Sequence, residues 1–359
     1  MAVLGGAVAP PFAARARQDA VPADDARRRA STAGFSFTGA IDAAALPDRK
    51  ESPAAAAILR SATRALDRAP HAMTRVHVEG TLPGQGIYDQ SNEALRDLEA
   101  MRDLAIAARL SGQTAYAAAA VRLARAWADV YRPSFNPIDE TRFDNFMLAL
   151  DLFAPPDRAS VGPGQHTLLR GFADGYPRQV VRGATATNNW NSHRVKLAVL
   201  SSFAMGELAL VQRAKAMFEA QLSANIDRRG EVYDFAQRDA LRYVVYSLEP
   251  LMMSVLAARR HGEDWYGLEG GRLGLALAWL RPYVEGQKTH EEFRRSKVDF
   301  DRVRREAGLT GFGGPFMPAK ARLLYGMAAR VDRSYAGLAG SLRANRWDDA
   351  WLEVLWPRG

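Results

Sequence analysis

Cysteine is absent from all 359 positions, which excludes thiol nucleophiles, thiolate zinc sites and iron–sulfur clusters. The absence does not fix a compartment, because a chain this long can bury a large core without disulfides. Long apolar runs are missing as well; none approaches the roughly 20 residues of a membrane-spanning helix. Signatures for metals and nucleotides are equally sparse. The six histidines form no His-x-x-x-His pair, and His71 and His77 stand six apart in a loop-like stretch. Neither Gly-x-x-x-x-Gly-Lys-Ser/Thr nor Gly-x-Ser-x-Gly occurs. The sequence therefore asks for no metal and no cofactor.

What is abundant is apolar and basic. Hydrophobic residues make up 48% of the chain and charged ones 25%, an ordinary globular balance. The net charge of +8 favours encounter with polyanions: nucleic acid, anionic lipid or acidic polysaccharide. The basic residues are interleaved with acidic ones along helical patterns, with no basic tail and no aromatic RNA-binding signature, which argues against nucleic acid. The first twenty residues are rich in Ala, Val and Pro, and Ala14-Arg15-Ala16 resembles the small-x-small pattern before an export cleavage site. One reading is a trimmed export signal, which would place the protein in the periplasm or outside the cell. The other is an Ala-rich disordered tail.

After an Arg/Asp-rich lead the chain becomes a succession of helical stripes. Leu95, Leu98, Met101, Ala105 and Ala108 recur at spacings of three and four, and so do Tyr116, Ala120, Leu123, Trp127 and Val130. Similar patterns cover 54–70, 139–153, 166–181, 189–224, 238–260, 270–283, 287–307, 318–331 and 333–356. Strand-like alternation is confined to Thr74–Val78. The expectation is an all-α protein, an (α/α) toroid built as an incomplete barrel of paired antiparallel helices. It comprises an N-terminal lead over 1–45 and one domain over 46–359. Gly- and Pro-bearing loops are expected at 71–91, 132–138 and 307–318, as rims or lids of a cleft.

Two clusters carry chemistry. Asn188-Asn189-Trp190-Asn191-Ser192-His193-Arg194 gathers three amides, an imidazole and a guanidinium at the start of a helix. Asn capping explains part of it, but not a second and third amide beside a histidine. The other cluster, Arg238 to Tyr246, places Asp239 and Tyr243 four apart, and Arg242 and Tyr246 likewise. Its plain reading is a half-buried helix with core tyrosines; its functional reading is a tyrosine activated by a neighbouring guanidinium.

In order and spacing, these motifs resemble the alginate lyase superfamily, polysaccharide lyases with an (α/α)-toroid fold. The resemblance rests on Asn188-Asn189 with Trp and His, on Gly230-Glu231, and on Arg-x-x-Leu-x-Tyr-x-x-Tyr-x-Leu from Arg238 to Leu248. Tyr116-Ala-Ala with Ala126-Trp127, and Gly286 to Phe293 with Phe300-Asp301, extend it over roughly 85–330. It implies β-elimination on a 1,4-linked polyuronate. A uronate C5 proton becomes acidic once its carboxylate is neutralised; a base then takes it while an acid protonates the leaving O4. Carried over by position, Asn189 would neutralise the carboxylate and His193 would be base or helper. Tyr243 would protonate O4, or act as base first, assisted by Arg238 or Arg242.

The chain departs from the family at two places. Well-known mannuronate-cleaving members read Asn-Asn-His-x-x-Trp, whereas this chain reads Asn-Asn-Trp-x-x-His, and the family's catalytic arginine falls at Ala236. The substrate is therefore either alginate-like or glucuronan-like. Candidate substrate contacts are Asn188, Trp190, Arg194, Arg242, Tyr246, Tyr88, Asn145 and His290. Asn188, Asn145 and Tyr88 also fit helix starts, Trp190 a core position, and His290 a solvated helix. Two other classes stay open: an inverting glycoside hydrolase drawing on Asp234, Asp239, Glu249 and Glu291, and a non-catalytic protein binding an acidic polysaccharide. Nothing in the sequence signals an oligomeric state.

Overall fold

The computed structural model describes residues 34–342 and 349–357. The Met1–Ala20 segment read as a possible export signal lies outside the described residues. Helices dominate, and among the described residues there is no strand, only two isolated bridges, Ile226 with Val232 and Glu291 with Pro315. The helices are α1 (Ala40–Ala44), α2 (Pro53–Ala65), α3 (Tyr88–Ser111), α4 (Thr114–Val130), α5 (Pro137–Glu140) and α6 (Phe143–Leu152). They continue as α7 (Pro155–Ser160), α8 (Gly164–Arg178), α9 (Asn189–Met205), α10 (Leu208–Asn225), α11 (Tyr233–Arg238) and α12 (Leu241–Arg260). The last are α13 (Leu268–Val284), α14 (Asp299–Glu306), α15 (Arg322–Ala328), α16 (Ala336–Ser341) and α17 (Ala350–Leu355). No described helix is long and apolar enough to cross a membrane.

The helices pack side by side: α2 on α3, α3 on α4, α8 on α9, and α9 on both α10 and α12. The result is the expected all-α toroid. The stripes read from sequence face its interior except at their C-terminal ends, where Ala108 is half-buried and Val130 is exposed. Leu95, Leu98, Met101 and Ala105 of α3 are buried, as are Tyr116, Ala120, Leu123 and Trp127 of α4. Helix α9 is enclosed by its neighbours, so it buries residues on every side, from Val195 to Leu200 without a break. Trp127, Phe143, Tyr131, Phe172 and Tyr176 form an aromatic seam, with ring centroids of Tyr131 and Phe143 only 4.4 Å apart.

The packing starts before the boundary expected at residue 45. Asp151 of α6 accepts the backbone N–H groups of Ser36, Phe37 and Thr38 at 2.6–2.9 Å, and Phe37 is fully buried. Burial pushes the Asp151 carboxyl up to about 6, against the pull of those three donors.

Several stripes break where the periodicity ran on. The 189–224 pattern splits at Gly206, whose left-handed φ of 69° caps α9 and whose backbone is covered closely by Gly34. The 238–260 pattern splits at Asp239, left-handed with φ 49°. The 287–307 pattern is helical only from Asp299. Its first half is tied instead by long-range backbone bonds: Glu292 N–H to Gly314, Phe293 N–H to Asp239, and Lys297 N–H to Gln237. Likewise Thr74–Val78 is not a strand. His77 Nδ1 sits 3.0 Å from an Asp139 oxygen, and the other Asp139 oxygen accepts the N–H groups of Val78 and Glu79, pinning the segment to α5.

Candidate active site

A cavity of about 390 Å³ opens on the face of α12 that carries Arg242, Tyr246 and Glu249, at steps of four and three residues. Tyr243 and Val245 also line it. Val78 and Thr81 from the first expected loop and Leu309 and Phe312 from the third close its rim, with Tyr88 at the start of α3 and Ile138 in α5. Arg304 and Lys320 complete a cationic wall.

Of the expected catalytic groups, Tyr243 is the one that lines the cavity. Its hydroxyl accepts a hydrogen bond from Arg304 Nη1 at 3.2 Å. The guanidinium of Arg238 lies 4.0 Å from the centre of its ring. Arg238 is therefore a neighbour through the ring face, and its charge is committed to the buried Asp301 carboxylate. The arginine at the hydroxyl is Arg304, which the sequence reading missed. The only signal was its position three residues after Asp301, one α-helical turn on. Arg242 holds its place through Nη1 to the Gly311 carbonyl at 2.7 Å, and its guanidinium lies over the Phe312 ring.

The first cluster sits behind this wall and not in it. Asn189, expected to meet the substrate carboxylate, is buried, and its Nδ2 donates to Asp234 at 2.5 Å. Asp234 has no solvent, so it draws on Asn189 twice and on Asn225 Nδ2; burial still pushes its carboxyl upward. His193 is buried too, with its ring centroid 4.3 Å from that of Tyr246 and Nδ1 2.7 Å from the Thr141 hydroxyl. Burial and then the nearby Lys196 charge push its imidazole well below the usual range, so it is neutral at physiological pH. Its Nε2 meets no hydrogen-bond partner among the described residues.

The remaining candidates divide. Tyr88, Arg242 and Tyr246 line the cavity. Asn188 caps α9, accepting the Trp190 N–H at 3.0 Å. Trp190 and Arg194 do not line the cavity; Arg194 is buried and donates to the Thr185 carbonyl, its guanidinium 5.9 Å from the Trp190 ring. Asn145 is corrected: it accepts from Arg102 Nη1 at 2.7 Å and borders a different groove with Trp351. His290 is corrected likewise. Its Nε2 lies 2.9 Å from the Asp239 carbonyl oxygen, in a separate depression with Arg294 and Arg295. Both were drawn away because a buried or turn-forming polar group elsewhere needed a partner.

The carboxylates proposed for a hydrolase do not converge. Asp234 is buried in its amide pair, and Asp239 serves the Arg295 N–H at 2.8 Å and the turn before α12. Glu291 forms an isolated bridge with Pro315. Glu249 is the one carboxyl lining the cavity among the described residues, so the two-carboxylate geometry of an inverting hydrolase is missing there. No cluster of three or more metal-ligating side chains occurs among the described residues.

Residues 42–290 match the family model described as alginate lyase. An alginate lyase from Bacteroides ovatus shares the fold with a TM-score of 0.63 and 17% identity, covering 90% of this chain and 99% of that one. Alginate lyase A1-III from Sphingomonas species A1 does so with a TM-score of 0.53 and 18% identity, over 72% of this chain and 80% of that one. A variant of A1-III complexed with a tetrasaccharide gives 0.57 and 18%, over 85% and 89%. No curated protein matches.

Proposed function

The chain belongs to the alginate lyase family and is a polysaccharide lyase, and from that premise we propose that it cleaves a 1,4-linked polyuronate by β-elimination at the Tyr243 cavity. The observation that carries this reading is the Tyr243 hydroxyl, held by Arg304 at 3.2 Å in a wall that also presents Arg242 and Lys320. A uronate carboxylate entering that wall meets guanidinium and ammonium groups that neutralise it, which is what makes the C5 proton removable. Tyr243 then exchanges protons with the sugar. As phenolate it takes the C5 proton; electrons form the C4–C5 double bond, the C4–O4 bond breaks, and the phenol returns the proton to O4. Arg304 stabilises the negative charge on the tyrosine oxygen between these events.

Asn189 and His193 take supporting parts in this proposal. Asn189 ties the start of α9 to Asp234 on α11, and His193 backs the Tyr246 ring that lines the cavity. The carboxylate-neutralising role expected of Asn189 passes to Arg304, Arg242 and Lys320. The substrate is alginate-like or glucuronan-like, and a polymer of either kind is met in the periplasm or outside the cell, where we place the enzyme.

The test is a panel of polyuronates followed by ultraviolet absorbance of the unsaturated 4,5-uronate end, with reducing ends measured in parallel. The proposal expects both signals to rise together on at least one polymer, and Tyr243→Phe to lose at least about a hundredfold in turnover. Reducing ends without absorbance would indicate hydrolysis, and an undiminished Tyr243→Phe would remove the tyrosine from the reaction.

A further inference from the structure

Glu249 stands out in the cavity because everything else charged there is cationic. It follows Arg242 and Tyr246 on one face of α12, and its side chain lines the cavity with theirs. Among the described residues it makes no hydrogen bond and no ion pair, unlike the buried carboxylates of Asp139, Glu140, Asp151 and Asp234, each of which is bonded by several donors. A half-buried carboxyl with no protein partner, on the wall of a substrate cavity, is a polar group left for the ligand.

We propose that Glu249 is a recognition residue whose carboxyl O–H donates a hydrogen bond to an oxygen of the bound uronate sugar. The inference rests on the polyuronate reading and deepens it, because it adds a contact whose strength depends on protonation. An ionised carboxylate beside a uronate repels it and cannot donate; a neutral one attracts it. Burial favours the neutral form, pushing the Glu249 carboxyl up to about 8 in spite of the opposing charge of Lys196.

The surroundings preserve that bias. From α9, Lys196 is spent on Asp144 of α6 at 2.5 Å and on the Thr141 hydroxyl and carbonyl, and His193 is held neutral by burial and by Lys196. From α12 itself, Arg242 is bound to the Gly311 carbonyl, and Tyr246 is pushed above its ordinary range by burial and so stays protonated. Arg304 of α14 is bonded to the Tyr243 hydroxyl, Tyr88 comes from α3, and Lys320 sits on the turn before α15. No cation among these ion-pairs with Glu249.

The experiment is the pH dependence of KM and kcat, from pH 6 to about 9.5, on a polyuronate that the wild type cleaves. The wild type, Glu249→Gln and Glu249→Ala are compared, each checked for folding by circular dichroism. For the wild type, KM is expected to rise as pH passes about 8 and to reach at least the level of the Ala variant by pH 9.5, with kcat changing far less. Glu249→Gln keeps a donor that cannot ionise, so its KM stays flat over the same interval. Glu249→Ala has no donor and shows a KM about five- to tenfold above wild type at pH 7, also flat. An identical KM climb in the Gln variant, or an Ala variant that matches wild type at pH 7, overturns the assignment while leaving the lyase reading intact. A wild type that neither cleaves nor, by calorimetry, binds any polyuronate overturns both.

Discussion

Replacing Arg304 by Gln isolates the contact on which the proposed chemistry depends. The guanidinium donates to the Tyr243 hydroxyl at 3.2 Å, the long end of a normal N–H···O bond, and its side chain is only 17% exposed. A hydrogen bond with one charged partner contributes about 1.5–3 kcal/mol, and the length points to the lower half of that range. At about 1.4 kcal/mol per decade this is a loss of roughly ten- to thirtyfold, and more if the tyrosine oxygen carries full negative charge in the transition state. The loss should appear in kcat. KM should rise only a few-fold, because Arg242 and Lys320 still face the substrate carboxylate. Stability should change little: the Arg304–Asp301 contact is 3.8 Å long, and Asp301 retains Arg238 and Ser296. Initial rates by ultraviolet absorbance on wild type, Arg304→Gln, Tyr243→Phe and the double variant form a cycle. If Arg304 acts through Tyr243, the double variant is no slower than Tyr243→Phe alone. Losses that multiply, or an Arg304→Gln rate within threefold of wild type, refute the coupling.

Other outcomes follow from the same geometry. Asp234→Ala leaves the Asn189 backbone and side-chain N–H groups without their buried acceptor, and should lower stability by about 3 kcal/mol in urea titration as well as reducing activity. Gly311→Ala should raise KM several-fold, because φ is 86° there and an added Cβ would fall 2.5 Å from Arg242 Nη1; a crystal structure with Arg242 undisturbed would contradict this. Glu249→Gln should also change stability with pH. A folded-state value near 8 against an ordinary 4.5 means that the native wild type binds the proton more tightly than the unfolded chain. That contribution is complete below pH 4.5 and is lost as pH rises to about 8, so the melting temperature of the Gln variant should gain on wild type across that window and then level off.

Local pattern carried much of the architecture. Apolar spacing in α3 and α4 identified the residues that are buried, since a helix in a layered all-α fold must turn one stripe inward. Gly- and Pro-bearing stretches marked the two loops that rim the cavity, around Thr81 and Phe312, because those residues interrupt helices whatever surrounds them. Tyr243, Arg242 and Tyr246 were legible for the same reason: all lie on one helix, where spacing alone sets which side chains share a face. The family motifs, being short and ordered, were readable along the chain too.

Partners separated in sequence were not. Arg304 reaches Tyr243 across 61 positions, and Arg238, near Tyr243 in sequence, turns to Asp301 across 63. Asn189 looked free to bind a ligand because nothing nearby in the chain reveals that Asp234, 45 positions on, needs its amide. The stretch from Gln287 kept a helical rhythm but gave it up to backbone bonds with Asp239, Gln237 and Gly314. Periodicity and local chemistry are properties of neighbouring residues, so the sequence by itself determined the helices, their inward faces and the reaction class. Which donor meets which acceptor depends on distances that exist only once the helices have packed, and the tertiary structure alone decided the cationic wall around Tyr243 and the unpaired carboxyl of Glu249.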